Sequence, residues 1–211
     1  MKIKPGLILR PFGPTMYKNT ISDRFRDEIL EASKTSTIEA NSRLAGNIDK
    51  EISYKISEET VDELQEFVTD YITAQIKVGT YQPPVETELS NIDLEIPWIN
   101  VQKKGEWNPP HIHSGDFSCI VYAQVPRELK DEWKHPTQRG RAPSGGKVEF
   151  FYGQWAPHNS IKLGPLEPEE KDIYLFPAWL QHHVYPFNAD VERISLSTNF
   201  FLKFKEKNDK L

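Results

Sequence analysis

Cysteine is almost missing from this chain of 211 residues. Cys119 stands alone, so no internal disulfide can form and no cysteine-rich zinc site can be built. Long apolar runs are missing too; nothing approaches the roughly 20 residues needed to span a bilayer. There is no strong charge of one sign. Lys and Arg number 26 against 31 Asp and Glu, and the net charge of −5 offers no global field for nucleic acid or an anionic membrane. The opening Met1-Lys2-Ile3-Lys4-Pro5 lacks the apolar stretch of a signal peptide. These absences lead us to expect a soluble, cytoplasmic protein with neither nucleic acid nor membrane as partner. They leave the oligomeric state open. What the chain does have is aromatic bulk. Apolar content is only 37%, but five Trp, eight Tyr and eleven Phe can fill a core with little leucine.

Two helices are legible in the first 90 residues. Ser22 reads as an N-cap, with Asp23 and Glu28 in the N-terminal half and Phe25, Ile29 and Leu30 as an apolar stripe. Ser57 caps a second helix, with Glu58 and Glu59 in its first turn. Val61, Leu64, Phe67, Val68, Tyr71, Ile72 and Ile76 recur at helical spacing, and Gly79 ends the run. That face calls for a sheet to pack on. A short strand is expected at Gly6–Arg10 and another near residues 52–56; the rest of 34–56 is polar and mixed.

After Pro83-Pro84 the pattern changes to short apolar or alternating runs between Gly, Pro and Asn. Strands are expected over 96–103, 117–125, 146–152, 173–176, 183–185 and 194–204, a spacing that suggests a sandwich or barrel. Residues 126–146 read as a long polar surface loop. The expectation is one domain, mainly β with flanking helices: residues 1–90 an N-terminal strand and supporting helices, residues 91–206 the β core, with the helices backing one sheet.

The chemistry concentrates in Asn108-Pro109-Pro110-His111-Ile112-His113-Ser114-Gly115-Asp116. On a strand, residues i and i+2 point the same way, so His111 and His113 can aim at one point. Pro109 and Pro110 fix the entry to that strand. A third imidazole can come from Phe176-Pro177-Ala178-Trp179-Leu180-Gln181-His182-His183-Val184, where His182 and His183 face opposite ways. Imidazole suits Fe, Zn, Cu and Ni, and three ligands on one face leave positions open. Asp116 is an alternative carboxylate ligand, or else a turn residue of the Ser-Gly-Asp sequence. His135 and His158 read as surface histidines.

Downstream, Arg193-Ile194-Ser195-Leu196-Ser197 alternates in polarity, placing Arg193 and Ser195 on one face. An arginine pointing into a β core needs an anion, and a guanidinium binds a carboxylate through two parallel bonds. Ser195 and Tyr122 can add hydroxyls. The alternative is an Arg193 in solvent or paired with Glu192 or Asp190.

These residues resemble the 2-oxoglutarate- and Fe(II)-dependent dioxygenases, closest to prolyl-hydroxylase-like members and a related group of small oxygenases. The resemblance covers roughly residues 96–204. It rests on His111, on the Phe-Pro-x-x-x-x-His-x-Val-x-Pro pattern from Phe176 through His182 to Pro186, and on Arg193-x-Ser195. It implies a double-stranded β-helix (jelly roll) core with the N-terminal helices packed on one sheet, Fe(II) as metal, and 2-oxoglutarate and O2 as cosubstrates. Arg193, Ser195 and Tyr122 would hold the distal carboxylate of 2-oxoglutarate, and Asn100 with Gln102 would face the cosubstrate. The reaction implied is hydroxylation of an unidentified substrate with release of succinate and CO2. One departure stands out: the family's acidic ligand position falls on His113. The expected ligand set is His111, His113 and His182, with Asp116 as the alternate. Two further readings share the fold. One is a cupin-like metalloprotein that uses no keto acid, although the Glu that cupins place after the second His is missing from 117–125. The other is a non-catalytic jelly-roll module with a degenerate site. Trp98, Trp107, Phe150, Trp155 and Trp179 are candidate cavity walls.

Overall fold

The computed structural model describes residues 6–9, 13–134, 144–153 and 161–206. Its strands in chain order are β1 (Leu7–Leu9), β2 (Met16–Thr20), β3 (Lys50–Ser53), β4 (Thr87–Leu94), β5 (Trp98–Gln102), β6 (Asn108–His111), β7 (Phe117–Gln124), β8 (Val148–Tyr152), β9 (Ile161–Leu166), β10 (Asp172–Pro177), β11 (Gln181–Val184) and β12 (Arg193–Glu206). The helices are α1 (Asp23–Thr35), α2 (Glu58–Lys77) and the short α3 (Arg127–Glu132). None of the helices among the described residues is long and apolar enough to cross a membrane.

The two long helices start where the sequence marks them. Ser22 Oγ accepts from the Phe25 N–H, and Ser57 Oγ accepts from the Thr60 N–H. Each cap is braced by a glutamate of the other helix. The Ser22 N–H donates to Glu63 (2.7 Å), and the Ser57 N–H donates to Glu28 (2.7 Å). The helix starts are thus tied together as well as capped. Leu64, Phe67, Val68, Tyr71 and Ile72 of α2 join Phe25, Ile29 and Ala32 of α1 in one apolar layer. Burial of each large side chain there contributes roughly 1.5–3 kcal/mol. Ile76, in the last turn, stays exposed. Gly79 ends the segment at φ +71°, the left-handed conformation glycine adopts without strain.

The strands form two antiparallel sheets. The larger runs β1-β2-β10-β7-β12-β5-β3, with β4 pairing the far half of β12; the smaller runs β6-β11-β8-β9. Strand alternation gives the larger sheet two different faces. Cys119, Val121, Ile173, Leu175, Ile194 and Leu196 face the helices. Ile120, Tyr122, Tyr174 and Phe176 face the smaller sheet and meet Val148, Phe150 and Val184 there. This is the double-stranded β-helix, with helices on one sheet.

Some details differ from expectation. Three strands, β2, β4 and β9, lie where no strand was expected, and the strand expected to carry both His111 and His113 runs instead from Asn108 to His111. The loop expected over 126–146 begins instead with α3, whose Leu129 is fully buried; residues 135–143 of it, with His135, lie outside the described residues, as do Trp155 and His158.

Candidate functional site

The site is built between the sheets, and strand pairing assembles most of it. On the smaller sheet, His182 in β11 lies directly opposite His111 at the end of β6, with ring centroids 4.4 Å apart. His113 follows two residues later, just past the strand. Its N–H donates to the Ala178 carbonyl, and its ring rests near Trp98 at 5.7 Å. The ligand atoms of His111, His113 and His182 all lie within 4.8 Å of one another. His113 Nε2 and His182 Nε2 are 3.3 Å apart. Two imidazole nitrogens bound side by side to one metal, with bonds near 2.1 Å, sit roughly 3 Å apart.

The tautomers are set by backbone carbonyls. The Nδ1–H of His111 donates to Pro109 O (2.7 Å), and the Nδ1–H of His182 donates to Leu180 O (2.9 Å). Each leaves Nε2 as a lone pair aimed at the common point, the arrangement that orients metal-binding histidines. Burial, above all, holds all three rings below the usual histidine range: His113 to about 3, His182 well below and further disfavoured by the other rings, and His111 against the pull of Pro109. At neutral pH the three rings are therefore uncharged and able to ligate.

Asp116 is not among them. Its carboxylate accepts the Leu202 N–H (2.8 Å), and its backbone exchanges hydrogen bonds with Phe200 and Ala178. Asp116, the alternate ligand of the sequence reading, thus sits in a turn and ties the start of β7 to β12. The neighbouring Gly115 makes that turn possible, at φ +91°, where a Cβ would meet Phe200 O at 2.8 Å. His183 faces away from the cavity, as alternation requires, and pairs with Glu149 at 3.2 Å.

The larger sheet supplies the opposite wall. Tyr122, Ser195 and Asn100 occupy one cross-strand row on β7, β12 and β5. Arg193 lies one step along the same face, opposite Gln102. Arg193 is 2% exposed; its guanidinium lies 5.4 Å from the centroid of the Tyr122 ring and donates from Nη1 to the Gly146 carbonyl. Among the described residues no carboxylate pairs with it. Arg193 Nε, Tyr122 OH and Asn100 Oδ1 are buried without a hydrogen-bond partner there. Burial pushes the Arg193 pKa down, with Tyr122 opposing, and pushes the Tyr122 phenol up, so the phenol stays an O–H donor.

These groups share one cavity of about 380 Å³, measured out to its mouth. It is lined by the three histidines with Trp98, Asn100, Asn108, Ile120, Tyr122, Val184, Arg193, Ser195 and Ser197. Of the expected aromatic walls, Trp98 lines it and Phe150 backs His182 at 5.4 Å, whereas Trp107 and Trp179 are substantially exposed. Two nearby residues were not expected. Asn108 lines the cavity. Glu51 of β3, opposite Asn100, is 1% exposed, and burial, then Glu106, push its carboxyl up to about 7 against the pull of Arg43.

Comparison with known proteins agrees with this geometry. Residues 97–199 match a family model described as "Putative 2OG-Fe(II) oxygenase". No curated protein matches the chain. Among solved structures, the chain is similar to a viral collagen prolyl hydroxylase from Paramecium bursaria Chlorella virus-1 as its 2OG complex (13% identity, covering 88% of this chain and 94% of that one, TM-score 0.53). It is also similar to a Pseudomonas putida prolyl-4-hydroxylase (14%, 89% and 92%, 0.52). A third is a prolyl hydroxylase from Trichoplax adhaerens in complex with a hypoxia inducible factor peptide (13%, 92% and 85%, 0.50). At these identities the structures show a shared fold, and the family match spans the strands that carry the histidines and Arg193. The matched stretch is thus similar to the 2OG-Fe(II) oxygenases, a family that implies Fe(II) and 2-oxoglutarate as cofactors, and His111, His113 and His182 form a possible iron site within it.

Proposed function

We propose that this chain is an oxygenase that uses Fe(II), 2-oxoglutarate and O2 to hydroxylate an organic substrate. One observation carries the reading. A buried guanidinium, with no acid to meet it among the described residues, opens into the same cavity as three converging neutral imidazoles. The donor set fits a first-row metal such as iron, and the orphaned donors fit a carboxylate. His111, His113 and His182 would hold the metal. Arg193 Nε, Tyr122 OH and Ser195 would bind the far carboxylate of the keto acid, with Asn100 beside them. When bound, iron and 2-oxoglutarate supply the oxidising chemistry, consuming O2 and releasing succinate and CO2.

The chain's own part is placement and exclusion of water. The carbonyls of Pro109 and Leu180 fix two rings in the ligating tautomer. Ile120, Val184 and Trp98 give the cavity apolar walls, which strengthen the charge interaction at Arg193. A cupin-like metalloprotein would leave Arg193 without an anion, and a structural module would leave both groups without purpose. Metal analysis combined with a 2-oxoglutarate titration separates the three. Our reading expects one iron per chain and 2-oxoglutarate binding that depends on it. Metal without keto-acid binding, or neither, would overturn it.

A further inference from the structure

The cavity has a second polar flank, and its chemistry is opposite to that around Arg193. Along the row Tyr122–Ser195–Asn100, strand pairing continues one strand further, to Glu51 on β3. Donors stand at the Tyr122 and Arg193 end. Three acceptors stand at the other: Asn100 Oδ1, Asn108 Oδ1 and Glu51 Oε2 are all buried and, among the described residues, accept nothing, while a fourth such oxygen, Gln102 Oε1, belongs to the residue opposite Arg193. They are close together. A Cβ placed on Gly46 would meet Glu51 Oε1 at 2.3 Å and Asn108 Oδ1 at 2.6 Å, so glycine is what lets these two oxygens share that space. Asn100 and Asn108 line the cavity itself. Glu106 adds a second carboxylate near Glu51. The nearest cation, Arg43, is engaged elsewhere, with Glu95, Ser53 and the Ile96 carbonyl.

A buried acceptor left unmatched costs about 1–3 kcal/mol, and three in one place call for a donor-rich group. With a carboxylate among them, the complement is a cation. We propose that Asn108 and Asn100, with the Glu51 carboxyl beside them, form the substrate-specificity site of this cavity, and that it takes a guanidinium or alkylammonium group of the substrate. The inference deepens the oxygenase reading and rests on it: the Arg193 flank takes the acidic cosubstrate, and the Asn100 and Asn108 flank, with Glu51 beside it, takes a basic substrate.

The test uses calorimetry on Zn(II)-loaded protein saturated with 2-oxoglutarate. The probes are n-butylguanidinium and its neutral isostere n-butylurea. The expected result is at least about tenfold tighter binding of the guanidinium, in line with loss of a partner from a buried charge pair. Glu51→Gln should bring the two probes to within about threefold of each other while leaving 2-oxoglutarate affinity unchanged. Asn108→Ala serves as the second variant should Glu51→Gln fail to fold, and should weaken the guanidinium selectively. Equal binding of the two probes by the wild type, or an unaltered preference in both variants, would overturn the assignment. Failure of 2-oxoglutarate to bind, with the preference for the cation intact, would remove the oxygenase reading and leave this site standing.

Discussion

Replacing Arg193 with Met separates stability from ligand binding, because the two should move in opposite directions. Without ligand, the guanidinium is a buried charge with one carbonyl partner, Gly146 O. Methionine fills similar space with no charge to desolvate. Exchanging buried ionic groups for apolar ones often stabilises by about 1–4 kcal/mol, less about 1 kcal/mol for the lost hydrogen bond. The ligand-free variant should therefore be as stable as the wild type or up to about 3 kcal/mol more stable. Keto-acid binding should suffer. Losing one side of a buried charge pair typically costs about 2–5 kcal/mol, a weakening of at least about thirtyfold. Thermal melting of metal-loaded protein reads both effects. At 2-oxoglutarate concentrations about 100 times Kd, wild type should gain about 2.7 kcal/mol, or roughly 5–10 °C for a chain of this size. In Arg193→Met the same concentration should give about a third of that shift or less. A variant that keeps the full 2-oxoglutarate shift would refute the reasoning. So would one that loses about 3 kcal/mol or more without ligand, since that would mean the guanidinium already has its counter-charge within the protein.

Further predictions concern the ligand set and acid. His182→Ala should lose stoichiometric metal by elemental analysis, and His183→Ala should keep it, because His183 points away and pairs with Glu149. Asp116→Asn should keep its metal too, but lose about 1 kcal/mol of stability on weakening the bond to the Leu202 N–H. The pH dependence follows from the depressed histidines: their contribution is fully present above about 6.5 and is lost as pH falls from there toward about 3, because the unfolded rings take up protons first. Melting of the metal-free protein should therefore fall through that window; a flat profile would contradict the burial of the rings. Glu51 acts with the opposite sign, its contribution falling as pH rises from 4.5 to about 7, so Glu51→Gln should make the acid-side loss steeper.

Much of this architecture is legible in the sequence where local chemistry decides it. Ser22 and Ser57 announce their helices because a hydroxyl before an apolar stripe satisfies an orphan N–H. The alternation in 117–124 and 193–197 announces strands with one face toward each core. The missed strands have physical reasons. The strand at the histidines starts earlier than expected, across Pro109 and Pro110, because β6 is an edge strand, where a missing N–H costs no ladder bond. β4 buries only Ile92, so its composition looks like surface. The same holds for the site. His111, His113 and His182 are marked by spacing, and Arg193 by an arginine in an otherwise core-facing position. Asp116 is ambiguous in sequence, since Ser-Gly-Asp serves both a turn and a ligand, and only the partner strand, through Leu202, decides it. Glu51 sits in the polar stretch 34–56 with nothing local to distinguish it. Its burial comes from β5 alongside and from the approach of Asn108, separated from it by more than fifty residues.

The central claim is that imidazoles from two remote stretches meet at one ion, with a keto acid anchored on the buried guanidinium beside them. A crystal grown anaerobically with Fe(II) and 2-oxoglutarate tests it most directly. The expected density has the iron on Nε2 of His111, His113 and His182, and the distal carboxylate on Arg193 with Tyr122 and Ser195. Iron held elsewhere, or a keto acid that leaves Arg193 untouched, would contradict the account.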